Sequence, residues 1–105
     1  MFAKQKLLED STNQLFLLKQ EVEKLSHDPQ KNSERLLAIK EELSTKAKEL
    51  WTAYETCFFI KIKDRLYQTW ITFDTLGYEV SRYFNPELPG IKIIPLIKGE
   101  KINEY

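Results

Sequence analysis

The sequence predicts a mostly α fold: an antiparallel helical hairpin of coiled-coil type, an aromatic-rich third helical segment and an extended C-terminal arm. Three observations carry this expectation. Only one glycine or proline, Pro29, stands before Gly77, and these two residues are the strongest interrupters of regular structure. Leucine, isoleucine and valine recur at heptad spacing on both sides of that proline. From Lys61 onward, polar residues alternate three and four apart, as one solvated stripe of a helix does.

The first element spans residues 1–26. Met1, Leu8, Leu15 and Val22 recur every seven residues, and Lys4, Ser11, Leu18 and Leu25 fill the second seam position, so the heptad carries two polar defects. It ends at Ser26-His27-Asp28-Pro29. There Asp28 can cap, and Pro29 can take the first position of the next helix, where its missing N–H has no partner to lose.

A helical stretch over 29–84 follows. Its seam reads Leu36, Ile39, Leu43, Lys46, Leu50, Ala53, Cys57 and Ile60. Two such stripes joined by a short turn pack as an antiparallel hairpin. Unbroken, the stretch would be about 80 Å long at 1.5 Å per residue, too long for a small domain. A bend or break is therefore expected, near Trp51, where Thr52-Ala53-Tyr54-Glu55 fits a capping box, or near Asp74, ahead of Gly77.

Residues 57–73 are rich in β-favouring side chains, and a hairpin turning at Asp64-Arg65 is conceivable. Two arguments favour helix. Asp-Arg does not supply the positive φ that a two-residue hairpin turn needs. Lys61, Asp64, Gln68, Thr72, Thr75, Glu79 and Arg82 make a polar helical stripe opposite Phe58, Ile62, Leu66, Trp70, Phe73, Val80 and Phe84. After Asn85-Pro86 the chain changes character: residues 85–105 read as a turn and an arm in which Ile91 to Ile97 is extended and Pro95 restricts pairing. Ten of the thirteen aromatics lie between Trp51 and Phe84, so the bulky core belongs to the second half.

Composition narrows function by exclusion. The 105 residues carry 16 basic and 16 acidic side chains, one histidine and one cysteine, with 42% hydrophobic content. That describes one ordinary globular domain, with neither a disulfide framework nor the makings of disorder. Each half is neutral, nine against nine and then seven against seven, so no long-range field is expected to draw the chain to nucleic acid or lipid. The start lacks a signal-peptide h-region, and no strictly apolar run, Cys57 to Ile60 included, exceeds four residues; a cytoplasmic setting and a free Cys57 thiol, with no membrane partner, are the expectation.

Catalytic chemistry finds little to stand on. The single histidine, His27, is in the predicted turn and far in sequence from Cys57, so no nucleophile–base pair is in view. One His and one Cys cannot build a soft metal site, Glu-x-x-His is absent, and no glycine-rich phosphate cradle occurs. Glu41-Glu42, Glu21-x-Glu23 and Glu9-Asp10 are adjacent acids that do not face each other on a helix. No catalytic residue, cofactor or metal is expected.

The expected function is a non-enzymatic protein–protein interaction module, such as an adaptor, assembly factor or small chaperone-like subunit, acting through apolar helix faces and able to self-associate. Its interface would use Leu15, Leu18, Val22 and Leu25 facing Leu36, Ile39, Leu43 and Leu50, together with Trp70, Phe73 and the arm residues Ile91, Ile93, Ile94, Leu96 and Ile97. Each of these could equally be ordinary core. The alternative is a small nucleic-acid-associated regulator using Lys61, Lys63, Arg65 and Arg82 among nearby aromatics; overall neutrality and the intervening Asp64 weigh against it.

Overall fold

A computed structural model describes residues 3–90. They form three helices, α1 (Ala3–Leu25), α2 (Ser33–Glu55) and α3 (Ile60–Phe84), with no strand among the described residues. The mostly α reading holds, and the helical alternative for the β-favouring stretch prevails from Ile60 onward. None of the described helices is long and apolar enough to cross a membrane.

Along α1 the heptad is realised directly: Leu8, Ser11, Leu18 and Val22 are buried, while Leu15 and Leu25 are half-buried against the core. No glycine is present to close this helix, so a side chain supplies the donor. Asn32 Nδ2 donates to the Leu25 carbonyl (3.1 Å) and to the Asp28 carbonyl (3.2 Å), satisfying an acceptor that the end of a helix leaves open. The second helix begins later than Pro29 suggests. The Asp28 carboxylate accepts from the Lys31 N–H (3.2 Å), and the Asn32 N–H bonds the Asp28 carbonyl (3.1 Å). Residues 26–32 thus form a self-bonded turn, and α2 starts at Ser33.

Helix α2 buries Leu36, Ile39, Leu43, Ala47, Leu50 and Ala53. Ala47 takes the place the heptad assigned to Lys46, whose ammonium pairs outward with Glu49 at 3.2 Å. The interruption expected near Trp51 or Asp74 lies at residues 56–59, with Trp51 inside α2 and Asp74 inside α3. Thr52 does not cap a new helix, because its hydroxyl donates to the Lys48 carbonyl (3.0 Å) within the running one. Helix α2 ends at Glu55; the Thr56 N–H still bonds the Thr52 carbonyl (3.2 Å), and Thr56 Oγ1 donates to Thr52 O (3.1 Å) and Ala53 O (3.4 Å), a backward contact that Thr69 and Thr72 also make inside the running α3.

Helix α3 continues through Gly77 and buries Leu66, Phe73, Leu76 and Val80. The Leu43 Cβ lies 3.8 Å from where a Gly77 Cβ would be, Trp51 meets Trp70, and Tyr54 meets Tyr67. Residue numbers fall on α3 as they rise on α2, so the two are antiparallel. The hairpin of α1 and α2 is present, and α3 turns it into a three-helix bundle. The packing emphasis differs from the one the heptads suggest: α2 packs most extensively on α3, and α1 lies against both. One connected core draws on all three helices and on Cys57.

Candidate functional site

The two leucine seams are satisfied inside one chain. Leu18, Val22, Leu36, Ile39, Leu43 and Leu50 are at most 5% exposed, and Leu15 and Leu25 pack against the same core. These seam positions are covered by the chain's own helices, and among the described residues of α1 and α2 outside them Phe16, Leu17 and Leu37 remain exposed. Phe73, expected at a partner site, is fully buried and presents no surface. Trp70 is half-buried at the edge of the core. The arm residues Ile91, Ile93, Ile94, Leu96 and Ile97 lie outside the described residues; the segment leading to them folds back on α3, where the Tyr78 hydroxyl donates to the Pro89 carbonyl and Arg82 Nε to the Leu88 carbonyl.

What the bundle leaves facing outward is an aromatic face on α2 and α3. Trp51 and Tyr54 are three apart on α2, Tyr67 and Trp70 three apart on α3, so each pair shares one side of its helix. The antiparallel register brings the pairs together as a closed ring of contacts. Centroids are 5.1 Å apart for Trp51 and Tyr54, 5.3 Å for Tyr54 and Tyr67, 5.6 Å for Tyr67 and Trp70, and 4.7 Å for Trp70 and Trp51. Lys63 Nζ sits 4.9 Å above the Tyr54 ring, a cation placed on the negative face of the π-system. Trp51 is 36% exposed and the other three rings are half-buried. A shallow depression between Lys48, Trp51, Trp70 and Asp74 continues this face along the helices. Sequence reasoning singled out Trp70 but missed the other three rings; the signal was the repeated three-residue spacing of aromatics on consecutive helical segments.

A second outward feature is the α2–α3 turn. Phe58 is 93% exposed and Ile60 73% exposed, with Phe59 between them at 53%. The sequence places Phe58 on the apolar stripe and Ile60 in the α2 seam, with a break expected near Trp51 or Asp74; because the break lies at residues 56–59 instead, both fall out of register and turn outward. Cys57 alone of this run is buried, as expected of a small free thiol.

Of the cations of the nucleic-acid alternative, Lys61 and Arg65 lie one turn apart on the same side of α3, and Arg82 stands away from them. Arg82 lies about 30 Å along α3 from Lys61 and is engaged by the Leu88 carbonyl. Lys63 Nζ stands 4.9 Å from the Tyr54 ring and keeps part of its surface in solvent. No group of three His, Cys, Asp or Glu side chains among the described residues is arranged to hold a metal ion. The clearest electrostatic feature is structural: the Arg35 guanidinium hydrogen-bonded to Glu21 holds that carboxyl below its ordinary value, against a smaller opposing effect of burial.

Comparison with known proteins adds no relative: no protein-family model, no curated protein and no solved structure matches the chain.

Proposed function

We propose that the chain is a non-enzymatic protein–protein interaction module of the adaptor or assembly-factor type, and that it meets its partner through the α2–α3 aromatic face rather than through its leucine seams. One observation carries this reading. Two tryptophans and two tyrosines form a contiguous, partly exposed surface on a rigid pair of helices. Tryptophan and tyrosine are the residue types most enriched where binding energy concentrates, because they offer large contact area at small entropic loss. Because the surface is already ordered by core packing beneath it, little need be ordered on binding.

Site-specific photocrosslinking in the producing cell tests the proposal. A photoreactive phenylalanine analogue at Trp51 is expected to give a discrete protein adduct, whether with another protein or with a second copy of the chain. The same analogue at Glu41, exposed on another part of α2, is expected not to. No adduct at either position, or the same diffuse adducts at both, overturns the reading.

A further inference from the structure

Beyond a protein partner for the aromatic face, we propose that the α2–α3 turn is a docking tip for an anionic bilayer surface, which it touches without crossing. Among the described residues Phe58 and Ile60 are the most exposed large apolar side chains, at 93% and 73%, and they sit together at one extremity of the bundle. The antiparallel packing determines what surrounds them. Helices α1 and α2 have equal lengths of 23 residues and are pinned at the other end by the Glu21–Arg35 pair. The N-terminal turn of α1 therefore lies at the tip, beside the last turn of α2 and the first of α3. Those three terminal turns hold Lys4, Lys6, Lys61 and Lys63 against a single carboxylate, Glu55.

Among the described residues the opposite extremity shows no such bias. There Lys24, Lys31, Arg35 and Arg82 are matched by Glu23, Asp28, Glu34 and Glu87. Helix dipoles add to the asymmetry, since α1 and α3 both point their positive N-terminal ends at the tip. Neutrality in each half of the sequence concealed this polarity, because the fold takes the cations from the first turn of α1 and the first turn of α3.

An apolar tip ringed by lysines matches the layering of an anionic membrane, where aromatic and aliphatic side chains enter the acyl boundary while lysines remain at the headgroups. The same charges decide against the tip as a homodimer contact: two copies meeting tip to tip would bring two sets of unbalanced lysines together.

The test uses the whole chain with phosphatidylserine-rich phosphatidylcholine vesicles, phosphatidylcholine vesicles, and analytical ultracentrifugation without lipid. Cosedimentation with the anionic vesicles alone is expected. Phe58→Ser and Ile60→Ser should each weaken it about tenfold or more, given the transfer energy of one large apolar side chain, and Lys61→Ser by about fivefold, the effect of one cation near the surface. Both apolar positions are exposed, so circular dichroism and melting should match the parent chain. Three results overturn the proposal: no binding to anionic vesicles at low salt, binding that the Phe58→Ser, Ile60→Ser double variant leaves intact, or self-association that the double variant removes in the absence of vesicle binding.

Discussion

Arg35 grips Glu21 with two parallel hydrogen bonds, Nε to Oε2 at 2.7 Å and Nη2 to Oε1 at 2.8 Å. The pair bridges the last turns of α1 and the first turns of α2 across the 26–32 turn. It is compatible with one antiparallel register of the two helices, because a shift of one turn would carry the fork away from the carboxylate. Arg35 Nη1 also lies 3.6 Å from Glu42, which extends the contact along α2. Two-pronged arginine–carboxylate geometry is the form of surface ion pair with the best-defined orientation.

The sign of the pH effect follows from this contact. Glu21 is held below its ordinary value of 4.5, first by the Arg35 hydrogen bond, with burial opposing and the charges of Arg35 and Lys24 assisting. A carboxyl depressed in the folded state contributes stability above its unfolded value, and that contribution is lost as pH falls through the folded value. Glu21→Gln is therefore expected to melt slightly below the parent chain at neutral pH, with the gap closing under acid. Both side chains are more than a third exposed, so the gap should be small and shrink in high salt. Thermal melts of both proteins between about pH 7 and pH 3, a range that brackets carboxylate titration, check this; a gap that persists in acid would assign the effect to packing.

Ser11 occupies a seam position and is fully buried, with a hydroxyl that has no hydrogen-bond partner. Burying a polar group without a partner is unfavourable, and its removal loses no bond. Ser11→Ala is expected to raise stability by about 1 kcal/mol, read as a higher urea midpoint at unchanged slope. A lower midpoint would mean that the hydroxyl has a bonding role in solution.

Gly77 sits inside α3, where an added Cβ would meet only the Leu43 Cβ at 3.8 Å, an ordinary contact distance. Alanine should therefore fit without displacement while lowering the conformational freedom of the unfolded chain. Gly77→Ala is expected to stabilise by about 0.5–1 kcal/mol. Loss of stability in the same denaturation experiment would show that α2 and α3 approach more closely than this spacing.

How far the sequence was legible depends on the kind of information each feature needs. Seam residues such as Leu8, Leu18, Leu36 and Leu50 were readable because periodicity reports which side of a helix is buried. Periodicity does not report what covers that side, so the dominance of α3 over α1 as the partner of α2 was hidden. The end of α2 at Glu55 was hidden too, since no glycine or proline marks residues 56–59. Both outward features depend on that stop. It exposes Phe58 and Ile60, and it reverses the chain so that Tyr67 and Trp70 meet Tyr54 and Trp51. Leu76, three residues beyond Phe73 and four before Val80, was visible in the spacing and belongs with the buried stripe.

The contrast between Phe73 and Phe58 tests the core assignment and the turn together, because the residue type is constant and only the environment changes. Phe73 is completely buried in the core that the three helices share, whereas Phe58 is 93% exposed. Truncation at the first position loses the transfer energy of the ring and leaves a cavity that the surrounding leucines can fill only in part; Phe73→Ala is expected to destabilise by about 3–5 kcal/mol. That is a large share of the roughly 5–15 kcal/mol available to a domain, so partial unfolding at ambient temperature would be unsurprising, and Phe73→Leu, which keeps most of the volume, should recover much of the loss. Phe58→Ala removes a ring that the folded chain does not bury and should shift stability by less than about 0.5 kcal/mol. Denaturant midpoints of the three variants give the comparison directly. Similar losses for Phe58→Ala and Phe73→Ala would mean that α2 and α3 run together as one helix through residues 56–59, with the aromatic stripe in its continuous register.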